Sequence, residues 1–141
     1  MSATTYTAAP ATTTTAPSAG SLLRRGAVAT VAAAAATTVI ATVGQAVGIS
    51  LAVSGAPIPP AGFATLTVVF AVLGLLIALV LRRFARSPRT AWIRTTVVLT
   101  ALSLVPDLLA DAAGSTKALL MGTHLVAAAI VIPAVAARLR A

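Results

Sequence analysis

The sequence predicts an all-α, polytopic membrane protein with four transmembrane helices in an up-down-up-down bundle. Three observations predict it. The 141 residues are 59% hydrophobic and only 9% charged, against about 25% charged in an ordinary soluble domain, and the mean hydropathy is +1.03. The apolar residues are gathered into four stretches separated by short polar or basic links. Arginines cluster at alternate links and not at the others.

The four stretches cover about residues 27–53, 61–81, 91–110 and 118–137. A hydrocarbon core ~30 Å thick needs ~20 helical residues at ~1.5 Å each. All four qualify, and none alternates as a barrel strand would. In lipid a helix also satisfies its own backbone. Residues 1–21, rich in Thr, Ala and Pro and free of charge, have no apolar period with which to offset ordering entropy and read as a disordered cytoplasmic tail. Residues 22–141 then form one transmembrane domain. The links SGAPIPP at 54–60 and DAAGSTK at 111–117 are tight turns, and RRFARSPRT at 82–90 is a basic loop. Short links make sequential helices antiparallel neighbours.

Ten Lys+Arg stand against two Asp+Glu, a formal net charge of +8. Their distribution argues for topology and against nucleic acid. Arg24, Arg25, Arg82, Arg83, Arg86, Arg89, Arg94, Arg138 and Arg140 share one side, and only Lys117 lies on the other. The positive-inside rule then puts both termini and the central basic loop in the cytoplasm of a bacterial inner membrane, and places Trp92 in the cytoplasmic interface. Leu23–Val28, with its paired arginines, also resembles the start of a twin-arginine export signal. The apolar run that follows exceeds the usual 7–15 residues of such a signal, so a retained helix is expected.

The chemical repertoire is small. The chain has no cysteine and a single histidine, which excludes disulfides, thiol catalysis and multi-His metal sites. No metal and no cofactor is expected. Ionisable groups inside a membrane are costly and mostly face protein or water, so they are the informative residues. Thr96, Thr100, Ser103, Asp107 and Asp111 fall within an arc of about 80° on the third helix. Pro106 removes a backbone hydrogen bond beside Asp107 and frees the carbonyl of Leu102. Pro133 is expected to kink the fourth helix. Folding helices three and four about Gly114–Ser115 brings Asp111 level with Lys117 and Asp107 level with His124. Such pairs fix helix register, and a carboxylate beside an imidazole also makes a proton-responsive element. Thr38, Thr42 and Gln45 share a face of the first helix. The expected outcome is a polar intramembrane cluster of Gln45, Asp107, Asp111 and His124 near the outer surface. Gly44 and Gly48 form a GxxxG pair suited to close helix packing.

LSLVPDL at 102–108 and LMGTHLVAA at 120–128, with Pro133 beyond them, resemble a family of small four-helix membrane proteins of unknown function from high-GC actinobacteria. The resemblance spans about residues 22–140. It implies a polytopic membrane protein and brings no activity, ligand or catalytic residue.

Two functional readings follow. In the first the protein is a non-enzymatic accessory subunit whose surroundings are the lipid bilayer and either further copies of itself or a larger membrane protein. In the second it is a proton-coupled transporter or lipid-binding protein that uses Asp107 and His124. An enzyme is not expected, because no nucleophile or metal set accompanies these two side chains.

Overall fold

The computed structural model describes residues 18–140. Of the tail expected at residues 1–21, residues 1–17 lie outside them, and the last residues are corrected: Ser18 caps the first helix and Ala19, Gly20 and Ser21 form its first turn. Four long helices make up the fold: α1, Ala19–Ala46; α2, Pro60–Phe84; α3, Pro88–Leu109; and α4, Gly114–Ala136. They contain 28, 25, 22 and 23 residues. At ~1.5 Å per residue each is longer than a ~30 Å hydrocarbon core, and all four are apolar enough to cross it. The chain is a multi-pass membrane protein.

α1 departs furthest from the sequence expectation of residues 27–53. It begins eight residues earlier because Ser18 caps it, its Oγ accepting the Ser21 N–H at 3.1 Å. The intervening Leu22, Leu23, Arg24 and Arg25 are good helix formers that carry the helix back to that cap. Arg24 and Arg25 therefore lie within the helix. It ends earlier too, in a Schellman motif. Gly48 takes a left-handed φ of 88°, its N–H bonds the Gln45 carbonyl at 3.0 Å, and the Ile49 N–H bonds the Gly44 carbonyl at 2.9 Å. The expected Gly44–Gly48 packing pair is thus corrected. Gly44 is a packing residue, whereas Gly48 is the residue that stops the helix.

The residues after this stop form a small hairpin where the end of the first helix and a tight turn were expected. Strand β1 (Ala52–Val53) pairs antiparallel with β2 (Ala56–Pro57). Ser54 and Gly55 between them have φ of 51° and 77°, the positive values that a tight two-residue hairpin requires. The hairpin segment is fastened to the link between α3 and α4 and to the first turn of α4. The Ser54 N–H donates to the Asp111 carbonyl at 2.7 Å, and the Thr116 hydroxyl donates to the Ser50 carbonyl. At the opposite end of the bundle the Arg89 N–H donates to the Arg140 carbonyl at 3.0 Å.

α1 packs on α2 and on α4, and α3 packs on α4 and more sparsely on α2. The buried face of α1 is made of small residues: Gly26, Ala29, Thr30, Ala33, Ala34, Thr37, Ala41 and Gly44, with Leu22 at its head. Small side chains let backbones approach, which matters in lipid because burying apolar surface there brings little net gain. A Cβ on Gly26 would run into Leu75 of α2, and one on Gly44 into Leu119 of α4. The core falls into two clusters. One, at the arginine-rich end, joins Leu22, Ala78, Trp92, Val135, Ala136 and Leu139. The other, beneath the hairpin, joins Ala41, Leu51, Phe63 and Leu119.

Trp92 corrects a further expectation. It is 1% exposed, and its indole N–H donates to the Ile132 carbonyl at 3.0 Å. It is a core residue that ties α3 to α4, not a lipid-facing interface residue. Pro106 and Pro133 both stand inside helices, which continue past them.

Two glycine substitutions distinguish this packing. Gly26→Leu forces side chain into α2 and is expected to destabilise the protein by about 1–3 kcal/mol. Gly122→Ala on α4 meets no atom and is expected to stabilise it by up to about 1 kcal/mol through helix propensity. Unfolding midpoints in mild detergent measure both.

Candidate functional site

Between the two core clusters the helices do not close. A cleft of about 500 Å³ lies among α2, α3 and α4, with Thr37 of α1 at its back. Its walls run from Ile58 and Phe63 at the hairpin end to Ile77, Trp92 and Ile132 at the arginine end. The distance from Phe63 to Ile77 along α2 is roughly 21 Å, most of the thickness of a hydrocarbon core. The side chains that line it are mostly apolar, among them Leu66, Phe70, Leu99 and Val131. The cleft is long because α2 and α3 each send large residues into the space between them, where α1 presents small ones to its neighbours.

The polar groups in the cleft come from the third and fourth helices and from one threonine pair between the first and second. Thr96, Thr100 and Ser103 line it from α3, and Thr123 and His124 from α4. Most of the hydroxyls are committed to backbone within their own helix: Thr96 to the Trp92 carbonyl at 2.7 Å, Ser103 to Thr100 at 2.7 Å and Thr123 to Leu120 at 2.7 Å. This internal bonding lets a hydroxyl sit in an apolar wall. Thr37 and Thr67 share a hydrogen bond of 3.0 Å between α1 and α2.

His124 is the exception. Its Nδ1 lies 2.7 Å from Asp107 Oδ2 and 3.2 Å from the Leu120 carbonyl. Asp107 is the more enclosed partner, with 12% of its side chain exposed against 38% for His124. With Nδ1 turned to the carboxylate, Nε2 is the ring nitrogen left for any other partner. The pair joins α3 to α4 across the cleft wall. It also gives a membrane-embedded carboxylate a partner, without which its burial would be costly.

The remaining expected members are elsewhere. Gln45 is exposed and lines a separate hollow beneath the hairpin with Ile49, Ser50 and Ile58, because α1 turns Thr37 rather than Gln45 toward its neighbours. Asp111 is exposed in the link after α3 and contributes its backbone carbonyl to Ser54. Lys117 does not reach Asp111; its Nζ donates to the Leu108 carbonyl at 3.0 Å, satisfying one of the open carbonyls of the last turn of α3. Of the four expected cluster residues, the structure joins Asp107 and His124 and leaves Gln45 and Asp111 apart. The sequence reading missed the cleft itself. The large residues Phe63, Phe70, Leu73 and Ile77, at intervals of three, four and seven on α2, were the available signal.

Residues 17–141 match the model of a family of unknown function, DUF6069, and the chain belongs to that family. No curated protein and no solved structure matches it.

The linkage between α3 and α4 is measurable as a coupling energy. Asp107→Asn, His124→Gln and the double variant form a cycle. Because His124 is more than a third exposed, the expected coupling is about 1 kcal/mol rather than the larger value of a fully buried pair. Additive effects of the two single changes on unfolding in detergent would remove the pair as a structural tie.

Proposed function

We propose that this family member is a lipid-binding protein of the bacterial cytoplasmic membrane, in which an acyl chain lies in the cleft between α2, α3 and α4. The cleft carries the proposal. It is long and mostly apolar, it lies along the spanning helices, and its volume falls within the 300–1,000 Å³ range of ligand sites. The Asp107–His124 pair is its one ionisable station, and in this reading it holds α3 at its distance from α4. The protein binds without carrying out a reaction. The accessory-subunit reading ranks behind because it needs a face suited to protein, whereas large apolar residues are exposed all along α1, α2 and α3, as lipid contact requires.

The same reading gives the bundle an up-down-up-down course with its arginine-rich end in the cytoplasm. Two sets of contacts support it: the hairpin bonded to the α3–α4 link, and the start of α3 bonded to the segment after α4. Nine arginines against one lysine favour that end as the cytoplasmic one.

Ala128 lines the cleft, and Ala128→Phe is expected to fill it. The variant should fold, and the phospholipid retained per protein through purification should fall about tenfold. Unchanged retention would remove the cleft as the lipid site. Orientation has its own test in this cysteine-free chain. Ala56→Cys and Ser115→Cys should react with a membrane-impermeant thiol reagent on intact cells, and Ser87→Cys only after lysis. The reverse pattern would invert the topology.

A further inference from the structure

We propose that the ligand is an anionic phospholipid whose phosphate is held by Arg82 and Arg138 while its acyl chain lies in the cleft. The inference rests on the lipid-binding reading and names the class of lipid.

It starts from a charge imbalance inside the chain. The only acidic side chains are Asp107 and Asp111. Asp107 is bonded to His124, and Asp111 lies beside the hairpin, at the end of the bundle away from the arginines. No Asp or Glu of this chain is placed to neutralise the guanidinium groups around the Leu22–Trp92–Leu139 cluster. A guanidinium cannot shed its proton to escape that situation.

Two of these arginines stand out. Arg82 is half-buried near the end of α2, and Arg138 is half-buried just after α4. Arg82 Nη1 and Arg138 Nε are both shut away from solvent, with no hydrogen-bond partner among the described residues. A buried N–H without an acceptor is costly, and a charged one more so. The other arginines do not share this condition in the same form. Arg83 lies over the Phe84 ring, 5.3 Å from its centre, and Arg24, Arg25, Arg86, Arg89, Arg94 and Arg140 are exposed. A phosphate oxygen is the acceptor best matched to the planar donors of a guanidinium.

Position links these donors to the cleft. Ile77 and Ile132 line its arginine-side end. Arg82 follows Ile77 by roughly 7.5 Å along α2, and Arg138 follows Ile132 by six residues, just past the end of α4. A headgroup held at the two arginines therefore leaves its acyl chain at the mouth of the cleft. In the cytoplasmic orientation proposed above, that headgroup belongs to the inner leaflet, where anionic lipids attract juxtamembrane arginines.

The test places the full chain in nanodiscs that mix phosphatidylglycerol with phosphatidylcholine, and reads the retained lipids by native mass spectrometry. Wild type should retain phosphatidylglycerol about tenfold above its share of the disc. Arg82→Gln with Arg138→Gln should bring that enrichment to near unity while a lipid is still retained; Arg82→Lys with Arg138→Lys should give an intermediate value. Should the double glutamine variant fail to fold, each single glutamine variant should lower the enrichment alone. Enrichment unaffected by these changes would overturn the inference, and so would release of the retained lipid by millimolar inorganic phosphate, which would make free phosphate the ligand. Ala128→Phe separates the two readings. If it strips lipid while the arginine variants leave the selection unchanged, the cleft reading stands and the headgroup assignment falls. If it strips nothing, the cleft reading has failed.

Discussion

The constraint on which this fold depends is that lipid offers helices almost no hydrophobic reason to associate. Leucine is as well placed against an acyl chain as against another leucine, so close backbone approach and internal hydrogen bonds must hold the bundle. α1 answers that constraint with a face of Gly, Ala and Thr running from Gly26 to Gly44. The two helices that can reach this face, α2 and α4, are drawn onto it. α3 has no comparable face. Its connection to the bundle is made instead by particular polar contacts: the Trp92 indole to the Ile132 carbonyl, Asp107 to His124, and Lys117 of α4 to the Leu108 carbonyl. The cleft is the consequence. Where small residues close one side of the bundle and point contacts hold the other, the large side chains of α2 and α3 keep the intervening space open.

The polar groups follow the same logic. The hydroxyls in the helices are mostly satisfied by a carbonyl three or four residues earlier in their own helix, which makes them acceptable in an apolar wall without committing them to a neighbour. Thr37 and Thr67 are a rare pair that reaches across. The ionisable residues are separated to opposite ends, with both acids toward the hairpin and most of the base at the other end. At the hairpin end Asp107 has His124 as its partner, while Asp111 and Lys117 stay apart. The arginine end has no Asp or Glu of this chain beside it.

Much of this was legible in the residues. Four helices of membrane-spanning length follow from apolar runs alone, and the meeting of Asp107 and His124 follows from counting outward from the Gly114–Ser115 turn. What escaped did so for local reasons. The apolar run of the first stretch continues past Gly48, so composition extended the helix to residue 53. Only backbone geometry reveals the left-handed glycine that stops it and the hairpin built on Ser54 and Gly55. At its other end the helix crosses Arg24 and Arg25 to reach Ser18, because a cap and helix-forming side chains outweigh the loss of apolar character. Gln45 was assigned to the interior by sharing a face with Thr38 and Thr42. The buried face of α1 lies around Thr37 and Ala41 instead, and in an alanine-rich helix nothing in the side-chain pattern distinguishes the two. Trp92 read as an interfacial residue because amphipathic aromatics usually are; an acceptor carbonyl from α4, next to Pro133, gives its N–H a place in the core.

That last contact bears on how the cleft and the arginine end are related. Trp92 belongs to the core cluster that closes the bundle beside Arg82 and Arg138, and it also forms the floor of the cleft. Val131 likewise packs against the cluster and lines the cleft. The two regions thus share a wall, built from one side chain of α3 and one turn of α4. An occupant of the cleft would press on residues that also belong to the arginine-end cluster. The tryptophan is large, buried and fixed at both ends, by packing on Ala78 and Leu22 and by its hydrogen bond to Ile132, so it transmits displacement rather than absorbing it. The proposed acyl-chain site and the arginine-end cluster therefore meet at shared residues, which is the arrangement a single amphiphile spanning both would require.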